Sequence, residues 1–179
     1  MISWTEGEVS LRRCDAEDWQ LLYEQLQDIE DFFWFDDSVQ PPCTEAAAVE
    51  RWEAVLAMHA EEGRLDLAIC VEEEAVGMVS LSLRDEANGV FTAPVFVLRA
   101  YQGRGYAKTA LRILLRYAFE ERRLHKLQAS VLAENGRSVA LHRALGCEIE
   151  GCFKDQVYHD GIWHDELWFG LTEEQWRNR

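Results

Sequence analysis

The spacing of apolar residues predicts an alternation of strands and helices along most of the chain. A first strand is expected from Glu8 to Arg12. Asp15 then caps a helix whose apolar positions Trp19, Leu22 and Leu26 share one face. The acidic and aromatic segment from Asp28 to Asp37 follows, ended by Pro41-Pro42. Thr44 opens a second helix running to about Glu62, where Gly63 stops it. Short apolar runs at Leu65–Val71 and Ala75–Leu83, joined by Glu72-Glu73-Glu74, read as strands, and Gly89–Leu98 reads as one more. Between residues 104 and 122, Ala107, Ala110, Leu111, Leu114 and Ala118 recur at helical spacing. Lys126–Leu132 is then a strand, and Asn135–Leu145 a helix closed by Gly146. Two strands around the turn His159-Asp160-Gly161 complete the order, Cys147 to Leu171. This order predicts a single α/β domain spanning residues 1–179, a mixed sheet with helices on its faces.

Composition narrows the classes. Thirty-three acidic residues against 18 basic ones leave a net charge of −15, which repels nucleic acid and suits a cationic partner or an ordinary acidic surface. No apolar run is long enough for a membrane span, and the first residues, Met1 to Glu8, lack the basic and apolar regions of a secretion signal. A cytoplasmic protein with no membrane or nucleic-acid partner is the expectation. The five cysteines form no CxxC pair and no zinc spacing, so they read as core fillers or thiols. His159 and His164 flank a turn but match no metal pattern, so no metal is assigned. Trp163, Trp168 and Phe169 are expected in the sheet or at a homodimer contact.

The most informative stretch runs from Val95 to Lys108, where a strand enters a glycine-bearing loop that opens directly into the long helix. Backbone N–H groups converge at such a turn, and the helix dipole adds partial positive charge. Gly103 and Gly105 admit a phosphate close to the backbone, and Arg104 and Lys108 would add charge. Neither GxxxxGK[ST] nor GxGxxG is met, because Ala107 precedes Lys108-Thr109 and Lys108 holds the third glycine's place.

Gln102-Gly103-Arg104-Gly105-Tyr106-Ala107 resembles the Q/R-x-x-G-x-G/A motif of the GCN5-related N-acetyltransferases. The resemblance continues through Leu114–Phe119, Leu124–Leu127, Asn135-Gly136-Arg137-Ser138 and Leu145-Gly146-Cys147-x-x-x-Gly151. Asp160-Gly161-x-x-x-Asp165 is similar to the branch holding ribosomal-protein alanine and polyamine N-acetyltransferases. The resemblance implies a mainly antiparallel sheet with a splayed central strand pair and acetyl-coenzyme A as cosubstrate. It implies that Val95, Val97, Gln102 to Lys108 and Asn135 hold the cofactor, with pantetheine between the splayed strands. An amine would attack the thioester directly, with the Val97 N–H facing the oxyanion.

Many relatives place a tyrosine seven residues after the asparagine as the acid that protonates the thiolate. Here that position is His142, with Ser138 one turn earlier on the same helix face to orient it. Asn135 can also serve as a helix N-cap. Candidates for the base are Glu30, Asp31, Asp36 and Asp37, with no choice among them. The resemblance sets the first two helices against the acceptor. Between Glu6 and Asp37 stand 11 acidic residues, and Glu30, Asp31 and Asp36 interleave with Phe33 and Trp34 in a way that suits an organic cation. The same cluster also reads as core-packing aromatics with a solvated acidic rim. The expected partner is a small-molecule or peptide amine: a polyamine, an aminoglycoside-like amine or a peptide N-terminus. A coenzyme A-binding sensor and an acidic protein-interaction module are the readings set against it.

Overall fold

A computed structural model describes residues 3–36, 38, 40–58 and 64–178. Its elements in chain order are β1 (Thr5–Glu6), β2 (Val9–Arg13), α1 (Trp19–Gln27), α2 (Ile29–Asp36), α3 (Glu45–Met58), β3 (Arg64–Val71), β4 (Glu74–Asp85), β5 (Val90–Thr92) and β6 (Val95–Val97). They continue with α4 (Tyr106–Arg116), β7 (Lys126–Leu132), α5 (Gly136–Ala144), β8 (Glu148–His159), β9 (Ile162–Thr172) and α6 (Glu173–Arg177). The strands form one sheet in the order β1-β2-β3-β4-β5-β7-β9-β8, with β6 paired to β4 off that path. All pairings are antiparallel except β5 with β7.

Local chemistry explains the element ends. Asp15 forms a capping box with Asp18 around a 3-10 turn, Ala16–Asp18, and α1 follows it. Thr44 accepts from the Ala47 N–H at 3.3 Å and starts α3, whose expected end near Glu62 and Gly63 lies outside the described residues. The segment from Asp28 is a helix, α2, begun by the Asp28 carboxylate accepting from the Asp31 N–H at 3.1 Å. Beyond Arg116, α4 widens into a π-helical turn, Tyr117–Glu121, with the Arg122 N–H reaching the Tyr117 carbonyl at 3.0 Å.

Helices cover both faces of the sheet. On one face, α4 buries Ala110, Leu111, Ile113, Leu114 and Leu115 against Ile69, Val79, Leu81 and Phe91. Truncating Leu114 there would cost about 2–5 kcal/mol. On the other face, Leu21 and Trp52 of α1 and α3 pack on Ala68, Cys70 and Phe96, and the Trp52 indole donates to the Asp15 carbonyl at 2.7 Å. Cys14 and Cys70 are buried with them, and Cys147 lies in the first core. Phe169 is fully buried, whereas Trp163 is 57% exposed and leans on Tyr158 instead of packing into the sheet.

The stretch read as one strand, Gly89–Leu98, is two. β5 pairs with β7 only at Val90↔Lys126 and Phe91↔Leu127, while β6 pairs with β4 alone. Pro94 sits at the break with its carbonyl still accepting from the Ser80 N–H of β4 at 2.9 Å, so pairing with β4 continues where pairing with β7 has ended at Phe91. The sheet therefore splays between β6 and β7.

Candidate active site

The splay opens a cleft of about 740 Å³. Its walls are β6, β7, the loop before α4, the start of α5 and the end of α2.

The β6 wall presents main chain. Leu98 donates its N–H to the Val76 carbonyl and Ser80 donates to the Pro94 carbonyl, both at 2.9 Å. Strand alternation then turns the N–H groups of Val95 and Val97 away from β4, toward the gap. Gly77 stands opposite Val97, and a Cβ there would collide with the Phe96 carbonyl. Only glycine lets β4 carry β6 this closely.

The loop wall is also main chain. Gly103 and Gly105 hold φ values of +77° and +86°, and Gly105 is the N-cap of α4 with no side-chain cap. The first helical bond is Thr109 N–H to the Gly105 carbonyl at 3.1 Å. The N–H groups of Tyr106, Ala107 and Lys108 thus have no acceptor within the helix, and these three residues line the cleft with Gly103 and Gly105. Arg104 is placed elsewhere. Its guanidinium lies 5.6 Å from the Tyr101 ring centre and borders a separate, smaller cleft with Glu8, Glu72 and Glu74.

Gln102 faces inward as a junction. Its amide nitrogen donates to the Val97 carbonyl and to Asp31, each at 2.9 Å, and its oxygen accepts from Arg137 at 2.5 Å. Arg137 also reaches Asp31 at 3.2 Å. Asp31 is buried and its charge is met by this arginine.

Asn135 caps α5 by accepting from the Ser138 N–H at 3.1 Å, and its amide donates to the Trp34 carbonyl at 3.0 Å. It ties α2 to α5 at the rim of the cleft. His142 is buried on the cleft wall, stacked 5.2 Å from Phe169. Its Nδ1 lies 2.8 Å from the Ser138 carbonyl, and Ser138 Oγ is 3.4 Å away. A carbonyl only accepts, so Nδ1 carries the proton and Nε2 holds a lone pair. Burial lowers the ring's pKa below 6.5, opposed by the bond to the Ser138 carbonyl. The ring is therefore neutral at pH 7, and it delivers a proton only after taking one up.

The acidic candidates separate. Asp31, Trp34 and Asp36 line the cleft; Glu30 and Phe33 do not. Glu30 is exposed and 3.8 Å from Arg99, which also binds Asp28. Phe33 is buried and stacks on His159 at 3.6 Å. Asp36 accepts from the Ser38 hydroxyl at 2.5 Å, and Asp37 lies outside the described residues. Among the described residues no three metal-ligating side chains converge.

Sequence reasoning missed Arg137 as a site residue, and also the Gln128 and Ser130 wall. Arg137 stands inside the Asn-Gly-Arg-Ser run, which was the available signal. Ser130 and Gln128 alternate on β7, a pattern that reads as an ordinary half-buried strand.

Comparison with known proteins shows the family. Residues 8–148 match the family described as acetyltransferase (GNAT) domain. YokL of Bacillus subtilis (strain 168), a prophage-derived uncharacterised N-acetyltransferase, is 28% identical over 172 residues, covering 96% of this chain and 94% of YokL. Two solved structures share the fold. RimL, a ribosomal L7/L12 alpha-N-protein acetyltransferase in complex with coenzyme A, superposes with a TM-score of 0.84 at 17% identity, over 95% of this chain and 97% of that one. The spermidine N-acetyltransferase of Vibrio cholerae, in complex with coenzyme A and spermine, gives 0.83 at 19% identity, over 97% and 100%.

Proposed function

This chain belongs to the acetyltransferase (GNAT) family and is an N-acetyltransferase, and from that premise we propose that it acetylates a cationic primary amine by direct attack, with acetyl-coenzyme A as cosubstrate. The observation that carries the reading is the cleft itself. Two main-chain walls converge on it, one with the Val97 N–H turned inward and one with the open N-terminus of α4.

The residues present fit coenzyme A. The N–H groups of Tyr106, Ala107 and Lys108 suit a pyrophosphate, and Lys108 adds a cation at the same place. Val95 and Val97 on one side and Gln128 and Ser130 on the other flank a slot between strands, where an amide-bearing arm would find unpaired main chain. Asn135 sits beside that slot, although its own bonds already cap α5 and hold Trp34. When bound, the cosubstrate supplies an activated acyl carbon.

Chemistry then falls to three groups. The Val97 N–H stabilises negative charge on the acyl oxygen, as a preorganised donor worth about 3 kcal/mol in a dry site. His142 takes up a proton on Nε2 as the ammonium is neutralised and releases it toward the leaving sulfur, while the second proton that the nitrogen sheds on forming the amide passes to solvent. Ser138 positions that ring, mainly through its carbonyl at 2.8 Å. Asp36 and Trp34, at the mouth, are the α2 residues that meet the incoming amine.

The test is thiol release from acetyl-coenzyme A with polyamines, aminoglycosides and short peptides as acceptors. Release above the amine-free rate with one cationic class, matched by a 42 Da gain in product mass (one acetyl group replacing one hydrogen), is expected. Coenzyme A binding with no turnover on any amine would overturn the proposal.

A further inference from the structure

Among the described residues four carboxylates are buried: Asp18, Asp31, Asp66 and Glu166. Three of them face arginines. Arg12 meets Asp18 at 2.7 Å, Arg137 meets Asp31 at 3.2 Å and Arg64 meets Asp66 at 2.7 Å. Glu166 faces none. Its Oε2 accepts from the Trp168 indole N–H at 3.0 Å, and no cation of this chain approaches it among the described residues. A buried carboxylate balanced by one neutral donor is costly to keep, and a cation supplied from outside would relieve that cost.

Its position fits such a use. Glu166 pairs across the sheet with Leu132, a residue of the cleft wall, and Ser130 stands opposite Trp168 on the same two strands. Adjacent strands lie about 5 Å apart, so Glu166 is one strand from the cleft. The two sides of β9 also divide the work. Phe169 packs toward α5 and His142. Glu166 and Trp168 point to the opposite face, the one α2 reaches through Phe33.

A second group on that face is also unsatisfied. His164, two residues before Glu166 on the same strand, is 6% exposed, and neither ring nitrogen makes a hydrogen bond. Its Nδ1 lies 3.4 Å from a Glu134 carboxylate oxygen.

From this juxtaposition we propose that Glu166 is a specificity-determining residue that holds a second positive charge of the amine acceptor, on the α2 side of β9, while the reacting nitrogen enters the cleft. The inference rests on the acetyltransfer reading above and names the group that selects its substrate. Asp31, the alternative within the cleft, is already neutralised by Arg137 and bound by Gln102.

Spermidine is the probe, titrated calorimetrically into the coenzyme A-loaded protein. Glu166→Gln keeps the shape and removes the charge; it should weaken spermidine binding by about ten- to a hundredfold, the usual loss for a charge-assisted bond. Glu166→Asp should recover most of the affinity, and coenzyme A binding should be unchanged in both. Trp168→Phe keeps the carboxylate and frees its second oxygen, so it should bind spermidine at least as tightly as the parent. Equal affinity in Glu166→Gln, loss in Trp168→Phe, or no spermidine binding by the parent would each overturn the assignment. Thiol release by the parent with other amines would then still stand, which separates failure of this anchor from failure of acetyltransfer itself.

Discussion

The two sides of the cleft are built from different materials. On the β6 and α4 side the cleft presents backbone: the inward N–H of Val97, the open amides of Tyr106 to Lys108, and glycines at positive φ where the chain turns. On the α2 and β9 side it presents side chains: Asp31 held by Arg137 and Gln102, Trp34 and Asp36 on the cleft wall, and Glu166 with no countercharge among the described residues. Backbone donors present the same array whatever the neighbouring side chains are, which suits a constant ligand. Side chains change one substitution at a time, which suits an acceptor that differs between relatives.

If His142 links the two sides, His142→Phe should have the largest effect. Turnover should fall about 10²- to 10⁴-fold, the usual range for a proton-transfer group, while acetyl-coenzyme A affinity stays within about threefold. Because burial lowers the ring's pKa, its protonation should show as an acidic limb of the rate profile below pH 6.5, absent in the variant. Steady-state kinetics across pH reads both.

Breaking the main-chain side comes next. Gly105→Val forces a β-branched residue to φ +86°, costing about 1–2 kcal/mol of strain before any cofactor is considered. The helix N-terminus should re-aim, and coenzyme A affinity should fall by at least about tenfold. Calorimetric titration with coenzyme A, together with a melting curve, separates the two losses.

A smaller effect would sharpen the join between the sides. Arg137→Ala leaves Asp31 buried with only Gln102, at a cost of about 1–2 kcal/mol. A double-mutant cycle with Gln102→Ala should give coupling of about 1 kcal/mol, since the three side chains share one network. Additive losses would mean that Gln102 and Arg137 act separately.

The smallest change is in acid. Arg99 holds the Asp28 carboxylate below its usual range, mainly through a direct hydrogen bond. A depressed carboxylate contributes stability above its unfolded-state pKa, and that contribution disappears as pH falls through the depressed value. The variant Arg99→Gln should therefore differ from the parent in melting temperature near pH 7 and converge with it toward pH 2. A gap that stays constant with pH would show that the pair contributes by packing.

Legibility follows the same division. The glycine loop, the long helix after it and the Asn135 cap are local patterns, and each stood where its residues indicated. What failed to show was anything set by distant pairing. Gly89–Leu98 looked like one strand because its apolar content is continuous, and only partner choice splits it at Ala93-Pro94. Asp31 looked like a free carboxylate for a substrate, yet its partner stands 106 residues away. The α2 segment carries no helical periodicity in the sequence, because four consecutive aromatics, Phe32 to Phe35, obscure it. Glu166 hid within a strand, where a carboxylate usually points to water and here is buried.

If coenzyme A binds along exposed main chain between β6 and β7, the amides lining that gap respond first. Amide chemical shifts followed by nitrogen–proton correlation during titration with coenzyme A test it directly. The largest shifts are expected at Val97, at Gly103 and Gly105, and at Tyr106 to Lys108, with Ser130 following and Arg104's neighbours in the smaller cleft, Glu72 and Glu74, unmoved. Saturable binding that leaves Val97 and Tyr106 to Lys108 in place would contradict it.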